Sequence, residues 1–184
     1  MKKSFAAIAA VLVATAGLAV AAEIRSGLEK GKDVPVFYVK DVTGPAKDGA
    51  ELCYRCRYIT QPVVSVFAKE MTDEVAQLSK EFDNVVAKNR DQKMAGFVVL
   101  MSNDPKSAAP SLVAAADKYK ISQMPLTTFK GSHGPDGYKI NADADVTVMM
   151  WVDGQVKDSR GMSNADINKE SIAKLVAETK TILH

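Results

Sequence analysis

Short apolar runs recur along the chain, and their length and composition predict β-strands. They are rich in valine, phenylalanine and methionine, and segments containing glycine, proline or asparagine separate them. Asp153-Gly154, between the last two runs, is a strong signal for a two-residue hairpin. The predicted strands are residues 34–39, 62–67, 95–101, 124–129, 146–152 and 155–159.

Between these runs, apolar residues recur three and four positions apart, which is the spacing of one face of an α-helix. Helices are therefore predicted over about residues 72–88, 110–120 and 168–183. Thr72 is a suitable N-cap for the first helix, and Pro110 fits the first turn of the second. Two strand–helix–strand units predict parallel strands with right-handed crossovers, and the hairpin adds antiparallel strands. The pattern thus predicts an α/β fold, with a mixed central sheet and helices on both faces.

The start of the chain has the three parts of a secretory signal peptide: the charges of Lys2 and Lys3, an apolar stretch, and small residues before a polar segment. A membrane anchor is the alternative, but the alanine-rich stretch and the polar residues after it favour cleavage. We expect residues 1–22 to be removed on export, residues 23–33 to be a flexible lead-in and residues 34–184 to form a single domain. The protein would then be periplasmic or secreted, with no membrane span after signal removal.

The charge balance bears on the partners of the exported chain. The predicted signal holds two of the 24 basic residues and none of the 22 acidic ones, so 22 of each sign remain. Interspersed charges in equal number leave no basic patch for nucleic acid, and we expect no nucleic-acid partner. No phosphate-binding loop or Ser-His-Asp set is present either, so no cofactor is expected.

Cys53 and Cys56 are the only cysteines, and they form a C-x-x-C pair. In an oxidising compartment they are expected to form a disulfide. A ring this small gives little entropic stabilisation, which favours a redox couple over a structural bond. Arg55 and Arg57 add positive charge that would stabilise a thiolate. A passive disulfide that only clips the loop remains an alternative.

A metal site is a further alternative for the cysteine pair. Cysteine and methionine are soft ligands that suit Cu(I), and the chain has eight methionines. However, two sulfurs do not complete a site, and several methionines fall in predicted strands, where they would fill a core. Arg57 follows Cys56, so the C-x-x-C-H motif of covalent haem attachment is absent. We therefore expect no bound metal, with a Cu(I) carrier as the alternative.

The order of elements, with a proline opening the strand after the second helix, resembles the thioredoxin-like fold over roughly residues 34–183. Residues 121–127 are similar to the segment in which thioredoxins place a cis proline beside the active site. The resemblance implies a three-layer thioredoxin-like fold and a cis bond before Pro125. Residues 61–67 and the leading hairpin, an N-terminal β extension, resemble the redoxin and peroxiredoxin branch. Residues 52–58 are similar to a stretch in uncharacterised exported thioredoxin-like proteins of bacteria.

The cysteine pair departs from the pattern of this family. Thioredoxins carry their reactive C-x-x-C just after the first central strand, where a helix begins and its dipole lowers the thiol pKa. The matching residues 68–74 contain no cysteine, and Asp73 and Glu74 would raise a thiol pKa. The standard thioredoxin and peroxiredoxin sites are therefore absent, and any redox chemistry depends on a displaced pair.

Three functions remain open from the sequence. The first is an exported thioredoxin-fold protein that uses Cys53 and Cys56 for thiol–disulfide exchange or electron transfer with an unknown protein partner. By analogy with other C-x-x-C proteins, we expect Cys53 to be the exposed, attacking thiol and Cys56 the resolving one. The second is a non-enzymatic binding or scaffold domain with a passive disulfide. The third is a Cu(I) carrier.

Overall fold

A mixed β-sheet of seven strands organises the computed structural model, which describes residues 24–46 and 50–183. The predicted signal peptide lies outside these described residues. The strands are β1 (Val39–Asp41), β2 (Glu51–Leu52), β3 (Val63–Ala68), β4 (Ala95–Ser102), β5 (Leu126–Lys130), β6 (Val146–Val152) and β7 (Gln155–Met162). Across the sheet they follow the order β2-β1-β5-β4-β3-β6-β7.

The central strands β3, β4 and β5 are parallel, and the other neighbours in the sheet are antiparallel. The helices are α1 (Tyr54–Tyr58), α2 (Asp73–Lys88), α3 (Pro105–Tyr119) and α4 (Lys169–Glu178). Because parallel neighbours need a crossover, α2 joins β3 to β4 and α3 joins β4 to β5. The two predicted strand–helix–strand units are therefore confirmed. So is the hairpin, in which Asp153 and Gly154 adopt positive φ and link β6 to β7.

The three long helices pack on one face of the sheet. Their apolar faces meet the side chains that β3, β4 and β6 direct to this side, and together they form one core. The buried helical residues are Val75, Leu78, Phe82, Val86, Leu112, Ile172 and Leu175. No helix within residues 24–46 and 50–183 combines the length and the apolar character needed to cross a bilayer.

The second face is covered by the short helix α1 and by extended segments, and the predicted arrangement of helices on both faces is confirmed. An aromatic core lies beneath them. Phe97 on β4 is at its centre, where its ring stacks on Tyr54 at 5.1 Å and meets the edge of Trp151 at 5.9 Å. The members of this aromatic core are Phe37, Tyr54, Phe67, Phe97, Tyr138 and Trp151.

Within the expected lead-in, residues 23–33, the described residues 24–33 lie along β7 and form backbone hydrogen bonds with it. The N–H of Gly31 donates to the carbonyl oxygen of Val156 at 2.8 Å, and Leu28 is buried against the second face. Polarity alone does not show that backbone groups of this segment find partners on β7. This segment covers an edge strand that would otherwise expose unpaired donors and acceptors.

The start of α3 also differs from the prediction. The helix begins at Pro105 because Asp104 caps it, with Oδ1 accepting the N–H of Ser107 at 3.2 Å. Pro110 therefore lies inside the helix instead of in its first turn. On this helix Leu112 is fully buried, whereas its neighbour Val113 is 45% exposed.

A buried carboxylate ties α2 to the loop before β5. Asp83 is 2% exposed, and its Oδ1 accepts the backbone N–H groups of Ser122, Gln123 and Met124. The Nζ atom of Lys80 lies 3.0 Å from the other carboxylate oxygen. One side chain thus pairs three donors that this loop would otherwise leave unsatisfied.

We expect Asp83→Ala to lower the free energy of unfolding by about 3–5 kcal/mol, because it leaves the three N–H groups without an acceptor and removes the carboxylate that pairs with Lys80. Asp73→Ala is the matched control, since Asp73 also lies on α2 and pairs with Lys118, but its side chain is 63% exposed. Its loss should change stability little. Urea denaturation compares the two variants, and equal shifts in midpoint would contradict this role of Asp83.

Candidate functional site

The cysteine pair lies at α1, on the face of the sheet that carries the aromatic core. Cys53 is the N-cap of this helix and Cys56 lies within its first turn. The two sulfurs are bonded and the Cα atoms are 5.2 Å apart, so the expected disulfide is present. Residues 59–62 then lead from the helix into β3. The pair therefore precedes the first central strand, as the sequence predicted.

The two cysteines differ in exposure, in the opposite sense to the expectation. Cys53 is 7% exposed, whereas Cys56 is exposed at the surface. The Sγ atom of Cys53 also accepts the N–H of Cys56 at 3.0 Å. Cys53 is held inside because the next residue, Tyr54, is fully buried. Cys56, not Cys53, is therefore the cysteine of the pair that is exposed to solvent.

Tyr54 anchors α1 to the sheet. Its ring stacks on Phe97, and its hydroxyl donates to Oδ1 of Asp41 at 3.0 Å. Asp41 is 2% exposed, and its second oxygen accepts the N–H of Ala46 at 2.7 Å. Burial, and then the nearby Asp41 carboxylate, raises the pKa of the Tyr54 hydroxyl well above its usual range. The hydroxyl therefore stays protonated and continues to donate.

Asp41 and Gly44 were missed as parts of the site. A signal for Asp41 exists in the sequence, since Phe37, Val39 and Asp41 occupy alternate positions and all three are buried. An acid in the inward register of a strand needs a buried donor. Gly44 has no such signal, but a Cβ at this position would overlap the Asp41 carboxylate and the Tyr54 hydroxyl. The loop that contains Gly44 can approach Asp41 and Tyr54 only because residue 44 lacks a side chain.

Arg55 connects α1 to two other segments. Its Nε donates to the carbonyl oxygen of Val34 at 3.0 Å, and Nη1 donates to that of Ile59 at 3.4 Å. The guanidinium also lies so close to Gly154 in the β6–β7 turn that a Cβ there would overlap it. Both of these hydrogen bonds are with backbone carbonyl groups, so Arg55 positions the helix in this structure.

The end of α1 carries positive charge. Arg57 and Arg90 are both exposed, and both act electrostatically on Tyr58. Burial raises the pKa of Tyr58 to about 12, and the two arginines oppose this rise. Within the described part of the chain, neither arginine forms an ion pair with a carboxylate, and Arg90 binds the Oε1 atom of Gln123. The positive charge is therefore available to a partner.

The usual thioredoxin position, at the start of α2, holds no cysteine. Thr72 caps this helix by accepting the N–H of Val75, and Asp73 follows as its first residue. A hydrogen bond from Lys118 lowers the pKa of the Asp73 carboxyl, which keeps it ionised. The departure from the family pattern that the sequence indicated is thus present in the fold.

The expectation of a cis bond before Pro125 is wrong, because the Met124–Pro125 bond is trans. Pro125 opens β5, which is parallel to β4 and does not neighbour β3. The strand beside the end of β3 and the start of α2 is β6, where the N–H of Lys69 donates to the carbonyl oxygen of Asp145. The position that borders the family's usual site is therefore Asp145, and not a proline.

Most of the described methionine side chains are buried in the two cores. The buried methionines are Met94, Met101, Met124, Met149, Met150 and Met162. In residues 24–46 and 50–183, no group of three or more His, Cys, Asp or Glu side chains is placed to hold a metal ion. The structure thus offers the disulfide sulfurs no further ligand of these types in the described ranges.

No protein-family model and no curated protein matches this sequence significantly. Solved structures do match the fold. A solution structure described as a putative protein disulfide isomerase from Bacteroides thetaiotaomicron aligns with a TM-score of 0.63 at 15% identity, covering 87% of this chain and 94% of that one.

Two further matches support the same architecture. A putative thiol:disulfide interchange protein DsbE from Chlorobium tepidum has a TM-score of 0.59 at 16% identity, over 83% of this chain and 98% of that one. Peroxidoxin BcpB from Mycobacterium tuberculosis has a TM-score of 0.57 at 18% identity, over 85% and 99%. Together with the sheet order and the crossover helices, these likenesses show that the chain has the thioredoxin-like fold, with its C-x-x-C pair placed before β3.

Proposed function

We propose that this protein is exported and exchanges thiols and disulfides with a partner protein through Cys53 and Cys56. The observation that carries the proposal is the asymmetry of the disulfide: Cys56 is exposed, whereas Cys53 is buried and its Sγ atom accepts an N–H. The thioredoxin-like fold supports it, as do the matches whose names describe thiol–disulfide proteins. The signal-like first 22 residues support export to an oxidising compartment.

The asymmetry assigns a role to each sulfur. A thiolate of the partner attacks Cys56 Sγ, the bond between the cysteines breaks, and its electron pair leaves on Cys53 Sγ. The N–H of Cys56, 3.0 Å away in the disulfide form, is placed to donate to the leaving thiolate. A second partner thiolate then attacks the partner sulfur of the mixed disulfide and releases Cys56 as a thiolate. The partner dithiol loses two electrons and two protons, the cysteine pair gains the electrons, and the protons pass through the solvent to the two cysteine thiolates. The same steps in reverse reduce a partner disulfide.

Single-cysteine variants test these roles. Cys53→Ser leaves an exposed thiol at position 56, which should react with a small aromatic disulfide at least about tenfold faster than the buried thiol that remains in Cys56→Ser. Each variant is the control for the other, since both lose the disulfide. A faster reaction of Cys56→Ser would assign the attacking role to Cys53 instead, and equal rates would contradict the asymmetry of the pair.

The reduction potential separates exchange from a passive bond. An exchanging pair should equilibrate with glutathione at a potential above about −300 mV, because a resistant structural disulfide lies below that value. Mass spectrometry of alkylated protein across a series of glutathione buffers gives the number. A value well below about −300 mV would contradict thiol–disulfide exchange and favour a scaffold domain with a passive disulfide.

The Tyr54 anchor should govern the stability of the site. Tyr54→Phe removes a donor from the buried Asp41 carboxylate, and we expect it to cost about 1–3 kcal/mol in urea denaturation. Tyr138→Phe is the control, because its hydroxyl donates at 2.7 Å to a neutral acceptor, the carbonyl oxygen of Pro35, and its loss should cost less, about 1 kcal/mol. A larger loss in Tyr138→Phe than in Tyr54→Phe would show that Asp41 does not need this donor.

A further inference from the structure

Two large apolar side chains are exposed near the disulfide. Ile59 and Val36 each expose 61% of their surface. Arg55 holds their segments together, since it donates both to the carbonyl oxygen of Ile59 and to that of Val34, two residues before Val36. Cys56 directly follows Arg55 in the chain. Cys56 is thus next in the chain to the residue that links the segments of the two exposed side chains, Val36 and Ile59, which we call the apolar patch.

The backbone conformation of Ile59 is a second, independent indication that this residue contacts a partner. This residue has φ +23° and ψ −79°, a conformation that a β-branched side chain rarely adopts and that costs of the order of 1–3 kcal/mol. Glycine would relieve the strain, and an exposed isoleucine buries little apolar surface in return. Folding alone thus gives no reason for isoleucine at this position, whereas contact with a partner does.

The segment beside the patch has backbone groups to offer. Residues 36–38 precede β1 and alternate between exposed and buried side chains, as a strand does. Their N–H and C=O groups form no hydrogen bond with any of residues 24–46 or 50–183. An extended peptide can pair with such a segment through its main chain, while its side chains contact neighbouring pockets and patches.

The positive charge at the end of α1 favours a negatively charged partner segment. Arg57 and Arg90 are exposed and unpaired with carboxylates in the described ranges, and both act on Tyr58, two residues after Cys56. Carboxylates on a partner segment would meet this positive charge as its cysteine approaches.

We propose that the surface formed by Val36, Ile59, Arg57 and Arg90 binds an extended protein segment in which a cysteine is flanked by a large apolar residue and by carboxylates. The proposal rests on the exchange function above and names the class of partner. The apolar flank contacts the patch, the carboxylates face the arginines, and the cysteine reaches Cys56 Sγ.

Three peptide thiols test the proposal with the oxidised full-length mature protein: Glu-Leu-Cys-Glu, Glu-Ser-Cys-Glu and Lys-Leu-Cys-Lys. The measurement is the rate constant for reducing the disulfide, divided by the rate constant of the same peptide with 2-hydroxyethyl disulfide, a neutral reference that corrects for thiol pKa without a charge of its own. At low salt, Glu-Leu-Cys-Glu should be about tenfold faster than Lys-Leu-Cys-Lys, and the advantage should largely vanish near about 1 M salt. Glu-Leu-Cys-Glu should also be about fivefold faster than Glu-Ser-Cys-Glu at either salt concentration, because the advantage of leucine over serine depends on apolar burial.

Variants assign these preferences to the surface. Ile59→Gly should keep or raise the urea midpoint, because it relieves the positive φ, yet lose the preference for leucine over serine. Val113→Gly is its control, because Val113 is an exposed apolar residue on α3. Arg57→Gln should reduce the preference for glutamate, and Arg25→Gln, a change at an exposed arginine in the segment along β7, should not.

The outcomes distinguish two failures. Exchange with all three peptides at equal corrected rates, or a leucine preference that survives Ile59→Gly, would overturn the docking surface and leave the exchange function in place. No exchange with any thiol would overturn the function itself. A dimer that Ile59→Gly dissociates would show that a second copy covers the patch, and this too would overturn the proposal.

Discussion

The contact of Tyr54 with Phe97 and Asp41 is the constraint on which the position of the disulfide depends. A helix of five residues has little stability of its own, so α1 is held by what it buries. Tyr54 supplies both the buried ring and the donor for a carboxylate that is itself sealed from solvent. Because Tyr54 is flanked by Cys53 and leads the helix, its burial withdraws one sulfur and leaves the other, one turn later, at the surface.

The cysteine pair lies at α1 and not at the start of α2, and these two positions differ in what supplies positive charge. At the start of α2 a long helix would supply its dipole, but Asp73 and Lys118 already occupy that position. At α1 the helix is short, and positive charge comes from Arg57 in the helix and from Arg90 in the loop between α2 and β4, both of which act on Tyr58, two residues after Cys56. The chain therefore has the thioredoxin-like fold, but the positive charge near its cysteine pair comes from side chains more than from a helix terminus.

Most of the fold could be predicted from local pattern, since the apolar runs and helical faces of β3, α2, β4 and the β6–β7 hairpin are strong signals. The errors arose where tertiary contacts decide. Pro125 opens a strand that is inserted beside β4, and no local signal shows that β6, not β5, pairs with β3. The exposure of Cys56 over Cys53 depends on Tyr54 finding Asp41, a contact across thirteen residues that spacing alone cannot reveal.

The edge contact between Trp151 and Phe97 has a practical consequence. Trp151 is the single tryptophan, it is fully buried, and Phe97 separates it from the Tyr54 ring. Indole emission responds to the packing and polarity around the ring. One intrinsic fluorophore thus sits two aromatic contacts away from the helix that carries both sulfurs, and a rearrangement of that helix would be visible in solution without any attached label.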